Sequence, residues 1–351
     1  MAYLFPRRLR DKFWPEPLPP PGSFQGQTVL VTGATAGLGR AAAVHFATLG
    51  ARVILTSRSM ASGEAAKRDI ERMAGITGQG KIRVMELDMN RYSSCVSFFN
   101  QLKQSEQWSH GLDCAVLNAG IINPHFAESP EGWEQTIQVN TLSTTLLGLL
   151  LLSWMKQGPK DRNPPHLVFV TSRDHLEPDI TSWADWSGQG GGLLQYFSRE
   201  ENWPSHQPQP NYAESKLMLM YAVGEICNQA VGPDGRVRVI VNSVCPGLVS
   251  TDIARLVVKH SRAMQLLVPL YLGVLGKSAD YGARFYVTAA RASEKEHGKF
   301  VQSLLTDEEY HRLRVPNMES DTATDVKGLV WKEILSELRE KVPSLDELMK
   351  A

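Results

Sequence analysis

The chain has 351 residues, 42% hydrophobic and 21% charged, the make-up of a globular protein with a sizeable core and not of a disordered or membrane-spanning one. Thirty-seven Lys and Arg balance thirty-seven Asp and Glu, so no global field draws in nucleic acid or an acidic membrane, and a small molecule is the expected partner. The four cysteines, Cys95, Cys114, Cys227 and Cys245, form no C-x-x-C pair and have no histidine cluster beside them. They read as buried thiols in a reducing, cytoplasmic setting, with no metal site.

Residues 1–27 carry Arg7, Arg8, Arg10 and Lys12, then Pro15, Pro17, Pro19, Pro20 and Pro21, and read as an arm too polar and broken for regular structure. They lack the uninterrupted apolar stretch of a secretion signal, and peripheral contact with a membrane or partner is left open. The most apolar run, Leu146 to Met155, is about half the ~20 residues that cross a bilayer, so it reads as a buried helix.

From Thr28 onward strands alternate with helices. Apolar, β-branched segments near 28–32, 51–57, 82–87, 112–117, 166–171 and 237–245 read as strands, and helical periodicity follows each of the first five. A short strand near 299–303 closes the series. Parallel neighbours need a helix to return the chain, so this alternation specifies a doubly wound α/β fold, a parallel sheet covered on both faces. The reading is one domain over 28–310, with a C-terminal extension over 311–351. In that extension Val326 to Leu348 reads as an amphipathic helix with Leu329, Ile334, Leu335 and Leu338 on one side.

Two stretches, 176–210 and 252–280, exceed what the sheet needs. The first carries Trp183, Trp186, Trp203 and Gly190, Gly191 and Gly192; the second holds the nearly all-apolar run 263–275. Both follow strands on the ligand edge, and the expectation is an apolar wall and lid over a hydrophobic substrate; packing against the domain is the alternative.

The first strand runs into Gly33, Gly37 and Gly39, with Leu38 between the last two, directly before a helical segment. Glycine lets the backbone turn tightly and brings N–H groups up to a pyrophosphate at the helix N-terminus. The motif is weak alone and gains weight from its place at the first β-α junction. An acidic residue that would hold a ribose 2′-hydroxyl is expected about 20 residues on. Thr56, Ser57, Arg58 and Ser59 stand there instead, and Arg58 can pair with a 2′-phosphate, which favours NADP(H). A solvated surface arginine is the plainer alternative.

Asp88 follows the third strand and Asn118, Ala119 and Gly120 follow the fourth; the fifth ends in Thr171 and Ser172. Tyr212 and Lys216 lie four apart in a helical segment and so share a face. A phenol with a reference pKa of about 10 is a slow acid-base group at neutral pH, and one ammonium ~4 Å away favours the phenolate by about 4 kcal/mol at an effective dielectric near 20. Lys216 is therefore expected to lower the Tyr212 pKa.

This ordered set resembles the short-chain dehydrogenase/reductase family over about Thr28 to Ser303, and within it the retinol-dehydrogenase-like branch and enzymes of fungal natural-product pathways. The resemblance implies a Rossmann fold and an NADP(H)-dependent interconversion of carbonyl and alcohol. It implies that Ser172 orients the substrate oxygen, Tyr212 is the acid-base group, Lys216 also holds the nicotinamide ribose, and Asn140 completes a proton relay. Val249 and Thr251, after the turn at Pro246 and Gly247, would reach the carboxamide end of the cofactor. Association into a homo-oligomer through helices near 133–155 and 212–229 is a further implication. Leu117 departs from the family's usual asparagine, Arg173 follows the serine, and the span from Ser172 to Tyr212 is long. The competing reading is a nucleotide-binding scaffold of the same fold that has lost turnover.

Overall fold

The computed structural model describes residues 4–105, 111–158, 163–188, 190–205, 207, 209–249 and 276–350. Seven strands form one parallel sheet in the order β3-β2-β1-β4-β5-β6-β7. These are β1 (Thr28–Val31), β2 (Arg52–Ser57), β3 (Ile82–Glu86), β4 (Cys114–Leu117), β5 (His166–Val170), β6 (Ile240–Val244) and β7 (Phe300–Val301). The order reverses between β1 and β4, where Val31 pairs with Leu55 on one side and Val116 on the other. Such a switch point opens a crevice at the carboxyl ends of the strands. The sixth strand starts at Ile240 and not at 237, because Val231 and Val237 form an isolated antiparallel bridge first.

Side-chain alternation along the strands splits the core. Val29, Val31, Val53 and Leu55 pack toward α2 (Gly37–Thr48), α3 (Met60–Met73) and α10 (Ala279–Ala289). Leu30, Ile54, Ala115 and Leu117 face α4 (Tyr92–Gln104), the helical run α5 (Gln135–Ile137) to α6 (Thr144–Met155), and α9 (Tyr212–Gln229). A π-helical stretch, Gln138–Ser143, joins α5 to α6. A methyl group at Gly148 would stand 2.6 Å from Phe169 Cζ, so only glycine lets α6 lie this close to β5. The run Gln135–Met155 is the one helix among the described residues long and apolar enough to cross a membrane, and it is wholly buried inside the fold.

Three expectations are corrected. The arm is not irregular: α1 spans Leu4–Phe13, since its prolines fall in the first turn, where no N–H is needed, or beyond the helix. It is held by an ion pair from Arg7 to Glu309, and Tyr281 and Arg284 donate to the Trp14 and Glu16 carbonyls at 3.1 and 2.9 Å. The tail helix is longer at its start and shorter at its end. After α11 (Asp307–Met318), α12 runs Asp321–Lys341 and stops before Pro343, with α13 (Leu345–Lys350) beyond. Its buried stripe is Ala323, Val326, Val330, Ile334, Glu337 and Leu338, while Leu329 is half-buried.

The third correction concerns 176–210. This segment folds into α7 (Trp183–Gly188) and α8 (Gly192–Phe197), and its apolar residues enter the main core. Trp183, Leu193, Leu194 and Phe197 are buried there, with Trp186 stacked on Tyr196 at 4.4 Å. Glu333 of α12 bolts the segment down, accepting from Leu193 and Leu194 N–H at 2.9 and 3.0 Å and from the Ser187 hydroxyl at 3.0 Å. The C-terminal helix covers the apolar surface that was expected to form a lid. The other proposed lid stretch, 263–275, lies outside the described residues, as does Thr251.

Candidate active site

The glycine turn forms where expected. Gly33 and Gly37 have φ of 63° and 54°, left-handed values that cost glycine nothing. A Cβ at Gly39 would stand 2.5 Å from both the Gly33 carbonyl and Asn118 Nδ2, so the third glycine serves close packing. The α2 N-terminus has no side-chain cap, and its first-turn residues Gly37, Leu38 and Gly39 line a cleft with Gly33, Arg58, Asp88 and Asn118. All the described cofactor residues named at the glycine turn and at the ends of β2, β3 and β4 thus meet in one place. Val249 is buried beside Leu38 at Gly282, outside the lining of this cleft.

Asn118 has a role that the sequence did not reveal. Its amide donates to the Thr32 and Gly33 carbonyls at 2.9 and 3.3 Å, and its oxygen accepts from the Tyr286 hydroxyl at 2.9 Å. It therefore buttresses the turn. Asn90 Oδ1, in the same cleft, is buried without a partner among the described residues. A glycine cradle, an uncapped helix N-terminus, a cationic rim at Arg58 and an orphaned acceptor together fit a dinucleotide.

Ser172, Tyr212, Lys216 and Asn140 converge at the carboxyl ends of β4 and β5. The Ser172 hydroxyl accepts from Asp174 N–H at 3.3 Å and lies close enough to the Tyr212 phenol and the Asp174 carboxyl to favour the charged form of each. Lys216 is buried, donates to the Val170 carbonyl at 3.0 Å, and its Nζ sits 5.6 Å from the Tyr212 ring centre. Asn140 Oδ1 accepts from Ile121 N–H at 2.9 Å, while its amide donates to the Ile121 carbonyl at 2.9 Å and to Ser215 Oγ at 3.1 Å. A methyl at Gly120 would lie 3.2 Å from Asn140 Oδ1 and 3.6 Å from Lys216 Nζ, so this glycine gives both groups room.

The expected electrostatics are reversed for the phenol. Burial raises the Tyr212 pKa, Asp174 and Cys245 raise it further, and the Ser172 hydroxyl opposes them only in part. Burial also brings Lys216 down to about 8, against the pull of Cys245 and Asp174. Desolvation leads the Tyr212 shift, and Lys216 is not among the groups that move it; its ammonium donates to the Val170 carbonyl.

A separate cleft reaches Tyr212 and is walled by Asp174, Glu177, Pro178, Gln209 and Glu214. Burial raises the pKa of Asp174, Glu177 and Glu214. The described wall beside the phenol is therefore polar, which sequence reasoning missed; Asp174, two residues after Ser172, was the available signal. His175 is buried and brought down to about 4 by that burial; its ring meets the Ser172 carbonyl at 2.5 Å and the Tyr310 hydroxyl at 3.2 Å.

Residues 27–183 match the short chain dehydrogenase family. The chain is 34% identical over 337 residues to short-chain dehydrogenase/reductase ffsI of Aspergillus flavipes, covering 95% of this chain and 92% of that protein. It is 31% identical to short-chain dehydrogenase/reductase phmF of Phaeosphaeria nodorum, covering 94% and 91%. Among solved structures it is similar to the angucycline C-6 ketoreductase LanV with bound NADP, at a TM-score of 0.55 and 20% identity over 81% of this chain and 96% of that one. That similarity shows the shared fold. The protein belongs to the short-chain dehydrogenase/reductase family.

Proposed function

We propose that the protein is an NADP(H)-dependent oxidoreductase that interconverts a carbonyl and an alcohol on a small organic molecule, within natural-product metabolism. The observation that carries this reading is the Ser172 hydroxyl beside the Tyr212 phenol, with Lys216 and Asn140 brought together at Gly120, next to the cleft of the glycine turn. Gly33, Gly37, Leu38, Gly39, Asp88 and Asn118 would hold the dinucleotide, and Lys216 its nicotinamide ribose. Arg58, exposed on the cleft rim with no ion-pair partner among the described residues, would take the 2′-phosphate. NADP in the LanV structure, and in the similar Pseudomonas aeruginosa RhlG/NADP complex, supports that choice.

A bound nicotinamide supplies the hydride. The chain supplies the proton and the alignment. The Ser172 hydroxyl fixes the substrate oxygen, and the Tyr212 phenol, kept protonated by its burial, donates its proton to that oxygen as charge develops on it. Lys216, held on the Val170 carbonyl, would orient the nicotinamide ribose, and Asn140 anchors the helix carrying both groups through Ser215. The polar wall of Asp174, Glu177 and Glu214 suits a substrate with hydrogen-bond donors close to the reacting carbon.

The test is NADPH consumption by the purified protein against panels of aldehydes, ketones and quinones. Turnover of at least one, with NADPH preferred to NADH, is the expected result. Binding of NADPH with no turnover across all three panels would leave the nucleotide-binding scaffold as the answer.

A further inference from the structure

Asn211, the residue before Tyr212, is the one non-glycine with positive φ among the described residues, at φ 54° and ψ 5°. Residues that start helices ordinarily sit in the extended region and cap the first turn with their side chain. Asn211 does neither. It is 1% exposed, makes no capping bond, and turns its amide backward to donate to the Phe197 carbonyl at 2.7 Å. The left-handed turn starts α9 abruptly, so Tyr212 is its first residue, with its N–H on the Gln209 carbonyl at 3.2 Å.

The same amide faces the Glu134 carboxylate. Glu134 is fully buried, and its carboxylate accepts from the N–H groups of Thr136 and Ile137 at 2.8 and 3.2 Å, capping the helix that carries Asn140. Its own N–H donates to Ser198 Oγ at 3.2 Å. Glu134 therefore joins the Asn140 helix through its carboxylate and the 176–210 segment through its N–H, and its carboxylate stands beside Asn211 at the entry to Tyr212. On the far side, Ser215 Oγ receives the Asn140 amide and donates to the Tyr212 carbonyl at 2.7 Å, and the Thr141 hydroxyl donates to the Ser215 carbonyl at 2.9 Å. The first turn of α9 is thus fastened from below by Glu134 and Asn211 and from above by Asn140 and Ser215.

We propose that Glu134 and Asn211 are positioning residues, which hold the left-handed turn at 211 and so set where the Tyr212 phenol stands relative to Ser172. The proposal rests on Tyr212 being the proton donor, and it adds the elements that aim it. Neither residue touches the dinucleotide cleft, so aim and cofactor binding are separable. An aim that is off by about 1 Å costs on the order of 10²-fold in rate.

The experiment combines turnover, NADPH affinity and hydrogen–deuterium exchange of the 209–216 backbone in the full chain, for Asn211→Ala, Asn211→Gly and Glu134→Gln. Asn211→Ala is expected to lower kcat at least tenfold, leave KM and the NADPH Kd within about twofold, and speed exchange over 212–216. Asn211→Gly, which reaches positive φ freely, should recover part of that kcat; Glu134→Gln should lower kcat with the turn retained. Wild-type kcat and exchange in Asn211→Ala would overturn the proposal. So would loss of NADPH binding in parallel with kcat in both Asn211 variants, since that marks general structural damage. Exchange reads the latch even without turnover, whereas full activity of Tyr212→Phe would strike the functional reading alone.

Discussion

Trp133 donates its indole N–H to Glu337 at 2.6 Å, across 204 positions of sequence. The same carboxylate accepts from the Tyr92 hydroxyl at 3.2 Å, and burial with that carboxylate nearby raises the phenol pKa. The C-terminal helix thus reaches the segment that leads into Asn140. Glu337→Ala would leave the buried Tyr92 hydroxyl and the half-buried Trp133 indole N–H without this acceptor, each costing ~1–3 kcal/mol. Chemical denaturation should show a loss of about 3 kcal/mol, with Glu337→Gln losing less because it keeps an acceptor. An unchanged midpoint in Glu337→Ala would show that the helix is not anchored there.

The proposed preference for NADP(H) rests on Arg58. A charge-assisted contact to a phosphate is worth ~1.5–3 kcal/mol, so Arg58→Ala should raise the NADPH Kd by about 10- to 100-fold and leave the NADH Kd unchanged. Fluorescence titration of both nucleotides measures this. Equal affinity for NADH and NADPH in the wild type would remove the role given to Arg58.

The sheet was legible because β1 to β6 are continuous β-branched runs separated by helical periods, and the sites at the strand ends came with it: Gly33, Gly37 and Gly39 after β1, Arg58 after β2, Ser172 after β5. Tyr212 and Lys216 were singled out by their place in that order, since a four-residue spacing alone is common. What escaped depends on burial and on distant chain. Trp183, Leu193 and Phe197 carry the same apolar signal whether they form a lid or a core, and only the covering helix with Glu333 decides. The sign of the Tyr212 shift could not be read from a four-residue spacing, because Lys216 turns toward the Val170 carbonyl. The backbone of Asn211 gives no sequence signal, since the partner its amide meets, the Phe197 carbonyl, lies on another element.

Glu134 gives a pH dependence with a definite sign. Burial pushes its carboxyl up to about 7 from its ordinary 4.5, and the hydrogen bonds from Thr136, Ile137 and Asn211 only partly oppose this. Its folded form holds a proton more tightly than its unfolded form, so its contribution to stability is fully present below about pH 4.5 and is lost as pH rises through about 7. Relative to Glu134→Gln, which does not titrate, the wild type should lose about 3 kcal/mol of unfolding free energy between pH 4.5 and pH 8.5. Urea unfolding of both proteins across that range measures it. A difference that stays constant with pH would show that Glu134 is ionised throughout.

In the proposed mechanism the Tyr212 phenol delivers the proton while the glycine-turn cleft binds the cofactor independently. The direct measurement is kcat for Tyr212→Phe on a carbonyl that the wild type reduces, alongside the NADPH Kd of both proteins. A positioned acid contributes ~10²- to 10⁴-fold, so kcat should fall by at least a hundredfold while the Kd stays within about twofold. Retention of more than about a tenth of wild-type kcat at unchanged NADPH affinity would contradict the claim.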